Sequence, residues 1–361
     1  MSQEKKVSRR GYLKYVAAVA VVGVVGVGAG YGLQQYLAPK PEKGPIVVAN
    51  AFRNLINEYW VHWNDGGADA AGAIGCGYLP LEGANDEKKM VSDVETAIAK
   101  GVKTMAVMPV TAGLIASIAD MCEKNRVWLT SMWDKPEELD PAKYTYWNVH
   151  VTQDTRWHGY IMAKILFDAM GGKGNIVSVG GLPGTGSAEL RHEGLDQALK
   201  EYPNIKQLAY ESGGYNRFKA APVMEDFLSA YGDKIEGIWC ANDDMAMGVL
   251  ETLRAAGKVG KIPVVGIDAI QDAVAAIQKG ELLATVDLCP YLMGGLGVVF
   301  AFDAYNGYTF PKDQKIYILK GPLVDKSNAE KFFAEHWVEG SRLATPWRSY
   351  SKTLGGEWPK S

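Results

Sequence analysis

The chain has 361 residues, 47% of them hydrophobic. That is more than one typical domain of roughly 100–200 residues and predicts two lobes with sizeable cores. Thirty-eight basic residues against 41 acidic ones leave a formal net charge of −3, a balance that excludes nucleic acid as the main partner, because phosphate backbones require a concentrated basic face.

Residues 1–14 read MSQEKKVSRRGYLK, and residues 15–33 follow as a run dominated by Val, Ala and Gly with no charge. A positive stretch before a moderately apolar run is an export signal. Ser8 to Lys14, S-R-R-G-Y-L-K, resembles the twin-arginine signal, with Tyr12 in the usual Phe place. No small-x-small cleavage site follows, since Tyr36-Leu37-Ala38 is bulky where a small residue is wanted. Residues 15–33 are also long enough to cross a bilayer. Residues 1–38 are therefore expected to be a signal or an uncleaved N-terminal membrane anchor. This places the protein outside the cytoplasm, in the periplasm or on the outer cell surface. Residues 39–45, P-K-P-E-K-G-P, read as a stiff linker.

From residue 46 onward short apolar runs alternate with helical patterns. Strands are predicted over residues 46–49, 104–108, 127–132, 175–179, 205–210, 235–240, 262–267 and 283–288. Helices are predicted over 58–72, 86–100, 114–125, 156–170, 188–202, 221–231, 243–256 and 269–278. The second of these carries Val91, Val94 and Ile98 at helical spacing and stops at Gly101. This alternation predicts an α/β fold of doubly wound parallel sheets with helices on both faces. In such sheets ligands bind beyond the carboxyl ends of the strands.

The residues that follow the strands are mostly Asn, Asp, Arg and aromatics. Arg53, Asn54, Asn57, Tyr59 and Trp60 follow the first strand, and Trp133, Asp134 and Lys135 follow the third. Later come Arg191 beyond a glycine loop, then Tyr215, Asn242, Asp268 and Asp287. Such donors and acceptors suit a polyhydroxylated ligand, and flat rings suit the C–H face of a sugar. The glycine loop, residues 180–186, has Glu189 where a dinucleotide fingerprint needs its third glycine. The five histidines are scattered, and no H-E-x-x-H, G-x-S-x-G or G-x-x-x-x-G-K-[ST] is present. No enzyme activity, cofactor or metal is expected. The four cysteines, Cys76, Cys122, Cys240 and Cys289, have no C-x-x-C spacing and read as buried thiols or one disulfide.

Three segments resemble the periplasmic sugar-binding protein family of the ribose-binding type. Asn242-Asp243-Asp244-Met245-Ala246-Met247-Gly248 is similar to its N-D-x-M-A-x-G. Val264-Val265-Gly266-Ile267-Asp268 is similar to its V-V-G-F-D, and residues 184–194 to its G-x-x-x-A-x-x-R-x-x-G. The resemblance implies a type I periplasmic binding fold, two lobes joined by a three-segment hinge. It places the crossings near residues 149–152, 288–290 and 316–319. The expected N-terminal lobe is 46–150 plus 289–318, and the C-terminal lobe with the tail is 151–288 plus 319–361. The expected ligand set is Asn57, Tyr59, Trp60, Trp133, Asp134, Arg191, Tyr215, Asn242, Asp268 and Asp287. The resemblance implies all of these except Trp133 and Asp287, which enter by their places after strands, and Lys135 beside Asp134 falls where the family has an Arg. The implied partners are a sugar or polyol and an ABC transporter permease. The alternative is a receptor for a furanose-like signal or a nucleoside, coupled to signalling. A sugar-sensing repressor is excluded by the export signal and the missing basic face.

Overall fold

A computed structural model describes residues 46–56, 58–338 and 345–360. Asn57 and the expected leader and linker, residues 1–45, lie outside the described residues. Among those described, no helix is long and apolar enough to cross a membrane.

The first lobe is a six-stranded parallel sheet of β1 (Val47–Phe52), β2 (Gly77–Glu82), β3 (Thr104–Val107), β4 (Trp128–Met132), β5 (Trp147–Thr152) and β11 (Ile316–Ile318), in the order β11-β5-β4-β3-β1-β2. Helices α1 (Glu58–Ile74), α2 (Glu87–Ala99) and α3 (Leu114–Asn125) connect its strands. The second lobe holds β6 (Gly174–Gly180), β7 (Ile205–Ser212), β8 (Gly237–Cys240), β9 (Val264–Val265), β10 (Ala284–Val286) and β12 (Leu323–Asp325), in the order β12-β10-β9-β8-β6-β7. Only β12 runs antiparallel to its neighbour, β10. Its helices are α4 (Thr155–Ala169), α5 (Gly186–Glu201), α6 (Arg217–Tyr231), α7 (Asp243–Ala255) and α8 (Gln271–Lys279). Two helices follow, α9 (Pro290–Tyr305) and α10 (Ala329–His336). The expected α/β class, with two parallel sheets flanked by helices, is the observed one.

Two of the elements that the sequence pattern misses escape it for a plain physical reason. β2 contains Pro80, which has no N–H to give a ladder, and it is tolerated because β2 is an edge strand. α9 reads PYLMGGLGVVFAFDAY and has no polar face, because it is buried on all sides. It crosses α1 at backbone contact distance. A Cβ on Gly294 would lie 2.1 Å from the Trp63 carbonyl oxygen, and one on Gly66 would lie 1.9 Å from that of Tyr291.

The tail departs from expectation. The expected second lobe includes it, but its described residues 345–360 pack on α9 of the first. Asp303 on α9 is fully buried and accepts hydrogen bonds from Ser351 Oγ (2.6 Å), Lys352 N (2.9 Å), Thr353 N (3.1 Å), Thr353 Oγ1 (2.7 Å) and Trp358 Nε1 (2.7 Å). Trp358 stacks on Phe310 with ring centres 4.0 Å apart. A buried carboxylate needs such donors, and only the tail supplies them here. All four cysteines are free.

Candidate functional site

The carboxyl ends of both sheets face a cavity of about 610 Å³. Its first-lobe wall begins where β1 ends and the chain turns through Arg53 and Asn54 into α1. Asn54 Oδ1 accepts from Ile56 N at 2.8 Å, which holds the turn. The first turn of α1 then presents Tyr59 and Trp60, whose ring centres are 4.7 Å apart in an edge-to-face arrangement. Trp133 follows β4 with φ of 69°, in the left-handed region. The conformation is held by Thr152 Oγ1, which donates to the Trp133 carbonyl at 3.0 Å, and by the bond from Trp133 Nε1 to Tyr59 Oη at 2.8 Å. Burial, then the Asp268 carboxylate, pushes the Tyr59 hydroxyl well above its ordinary value, so the phenol keeps its proton.

The second-lobe wall is built on helix starts. Arg191 lies in α5, which crosses α4 closely through two glycines. A Cβ on Gly159 would lie 2.0 Å from the Arg191 carbonyl oxygen, and one on Gly194 would lie 2.1 Å from that of Arg156. Arg191 Nη1 donates to the Ala241 carbonyl at 2.6 Å, and Nη2 lies 3.7 Å from Asp268 Oδ1. Its guanidinium sits 5.6 Å from the Tyr215 ring centre and 6.0 Å from that of Trp133, which belongs to the other lobe. Arg191 Nε is buried without a partner. Asn242 caps α7 by accepting from Met245 N at 3.0 Å, and its Nδ2 donates to Asp268 Oδ2 at 3.2 Å. Burial raises the Asp268 carboxyl to about 7 even though Arg191 and Asn242 pull it down. Behind it Asp243, fully buried, accepts from Thr285 Oγ1 at 2.9 Å and from Ile270 N at 3.1 Å.

Of the expected ligand set, Tyr59, Trp60, Trp133, Arg191, Tyr215, Asn242 and Asp268 line the cavity together. Asn57 lies outside the described residues. Asp134 does not line the cavity; it sits behind Arg53, whose Nη2 it binds at 2.6 Å. Asp287 is turned to the crossing, where it accepts from Cys289 N at 2.6 Å and faces a second cavity of about 230 Å³. Lys135 is engaged in its own loop, where its Nζ donates to the carbonyls of Pro136 (3.1 Å) and Glu137 (3.2 Å). Arg53, Asn54 and Leu288 also line the cavity. The position of Arg53 directly after β1 was the available signal for it. Among the described residues no cluster of His, Cys, Asp or Glu is arranged to hold a metal ion.

Comparison with known proteins extends this picture. Residues 48–309 match the periplasmic binding protein domain family. The chain is 32% identical over 249 residues to a xylitol-binding protein of Mycolicibacterium smegmatis, a match covering 68% of each chain. It is 30% identical over 312 residues to the D-allose-binding periplasmic protein of Escherichia coli, covering 84% of this chain and 94% of that one. A crystal structure of a twin-arginine translocation pathway signal protein from Burkholderia phytofirmans superposes with a TM-score of 0.79 at 34% identity. That match covers 84% of this chain and 96% of the other.

Proposed function

The chain belongs to the periplasmic binding protein domain family, and from that premise we propose that it captures a sugar or polyol outside the cytoplasm and delivers it to an ABC importer. One observation carries the reading: a single cavity takes aromatic faces from one lobe and Arg191, Asn242 and Asp268 from the other. A polyhydroxylated ring fits between such walls, its C–H face on the rings and its hydroxyls on the fixed polar groups. The xylitol- and D-allose-binding relatives support the ligand class. The protein acts by binding rather than by chemistry. A permease would receive it once the lobes have closed.

The lobes, residues 46–150 with 289–318 and residues 151–288 with 319–338, open and close about their three crossings. Ligand favours closure because only the closed form lets both walls bind it. Export runs through the twin-arginine route, and residues 15–33 tether the protein to the membrane. Changing both Arg9 and Arg10 to Lys retains the chain in the cytoplasm; normal export of that variant refutes the route.

The ligand reading is tested by thermal shift with xylitol, D-allose, D-ribose and myo-inositol, since binding to the native state raises its melting temperature by mass action. At least one should raise it, and small-angle scattering should then show a smaller radius of gyration. A chain that responds to none of the four refutes the sugar or polyol reading.

A further inference from the structure

We propose that Arg53 is the first lobe's hydrogen-bonding grip on the bound sugar or polyol, and that Asp134 acts on that ligand only through Arg53. The proposal rests on the ligand class and cleft argued above. Arg53 is 9% exposed and lines the cavity. Its guanidinium is fixed from three strand ends. The side chain leaves the end of β1, its Nε donates to the Pro109 carbonyl beyond β3 at 3.0 Å, and its Nη2 donates to Asp134 Oδ2 beyond β4 at 2.6 Å. The group lies over the Trp60 ring, 5.9 Å from its centre.

A guanidinium carries five N–H donors in a rigid fork. Two are used by Pro109 and Asp134, so three have no acceptor among the described residues. These donors are not sealed in the interior but open on the cavity, where the hydroxyl oxygens of a ligand can accept from them. Neighbouring hydroxyl oxygens of a polyol match the spacing of the fork, which an ammonium cannot reproduce. The neighbouring Asp134 and Lys135 are engaged elsewhere: Asp134 Oδ2 accepts from Arg53, and Lys135 Nζ donates to the carbonyls of Pro136 and Glu137.

The placement also has a counterpart across the cleft. Trp60, Tyr59 and Trp133 form a continuous aromatic floor. Arg53 of the first lobe lies over Trp60 at one end, and Arg191 of the second lies over Trp133 at the other. A ligand on this floor meets one guanidinium from each lobe. Asp134 is then a positioning residue that holds one of them in register.

Calorimetric titration of xylitol, D-allose, D-ribose and myo-inositol tests this on the native protein and on Arg53→Gln, Arg53→Lys, Asp134→Asn, Lys135→Ala and the Arg53→Gln/Asp134→Asn double variant. For each of these compounds that binds the native protein, Arg53→Gln should weaken binding at least tenfold. Arg53→Lys should weaken it less, and Lys135→Ala less than twofold. Asp134→Asn should weaken binding alone but add nothing in the Arg53→Gln background, a non-additivity that a merely structural role would not give. If Arg53→Gln fails to fold, Arg53→Lys decides: it keeps the charge, and native-like affinity in it overturns the fork as the grip. Native-like affinity in a folded Arg53→Gln overturns the proposal, and an additive double variant overturns the role given to Asp134. If none of the four compounds binds the native protein, the ligand reading fails and the proposal falls with it.

Discussion

Trp133 Nε1 donates a 2.8 Å hydrogen bond to Tyr59 Oη, tying the residue after β4 to the first turn of α1. The bond fixes the tilt of both rings in the cavity floor and gives the buried indole its acceptor. Tyr59→Phe keeps the ring and removes the acceptor. It should cost about 1–3 kcal/mol of stability, the usual penalty for a buried donor left unpaired. Urea unfolding measures this, and an unchanged midpoint would show that Trp133 finds another acceptor.

Asp268 sets function against stability. Its carboxyl is raised to about 7 in the folded protein, from an ordinary aspartate value of about 4, because burial outweighs the help from Arg191 and Asn242. The native state therefore keeps a proton that the unfolded chain has released, and stability falls as pH rises from about 4 to 7. Asp268→Asn removes that penalty. Without ligand the variant should melt higher than the native protein above pH 7, and the advantage should vanish below about pH 4. The same change should weaken sugar or polyol binding by roughly tenfold or more, the scale of a lost charge-assisted hydrogen bond. A variant that melts lower at pH 8 would mean that the pairing with Arg191 outweighs burial.

Two histidines act in the opposite direction. Burial, with Lys135 for His150 and Arg191 for His158, lowers each to about 3 from an ordinary 6.5. The unfolded chain takes up protons near pH 6.5 and the native protein does not until near pH 3. Stability is therefore lost as pH falls through that window, by up to ~1.4 kcal/mol per pH unit for each histidine. The loss between pH 7 and 5, read as a shift in urea midpoint, should be smaller in a His150→Gln/His158→Gln variant. An identical loss in both proteins would assign the acid sensitivity to other groups.

Asp303→Ala removes a carboxylate that accepts five hydrogen bonds from the tail. Several buried donors are then left unpaired, and the expected cost is about 3 kcal/mol or more. Limited proteolysis should cut the variant near residue 345 before it cuts the lobes. If the tail stays protected, the Phe310–Trp358 stack and not Asp303 is what holds it.

Much of this fold was legible because its helices have two faces. Met90, Val94 and Ala97 are buried on α2 and its other face is polar, so periodicity marks the helix and Gly101 its end. α9 defeats the same reasoning, since a helix buried on every side carries no period. In the cavity, the rule that ligands meet strand ends pointed to Trp133, Asn242 and Asp268, each within three residues of such an end. The rule does not resolve neighbours. Trp133 lines the cavity, while the next residue, Asp134, lies behind Arg53, a partner 81 positions away. No local pattern carries a pairing of that range, and the resemblance pointed to Asp134 with Lys135 as a pair facing the ligand.

The tail on Asp303 also has a bearing on how the molecule is made. The first lobe takes its strands from residues 47–152, a helix from 290–305, its edge strand from 316–318 and the donors for its buried carboxylate from 351–358. The second lobe has its whole sheet in hand by residue 325. Domains generally fold in the order in which they emerge during synthesis, but here the lobe begun first is the one completed last. A nascent chain that has emerged only as far as residue 349 would carry a finished second lobe beside a first lobe still waiting for its closing piece.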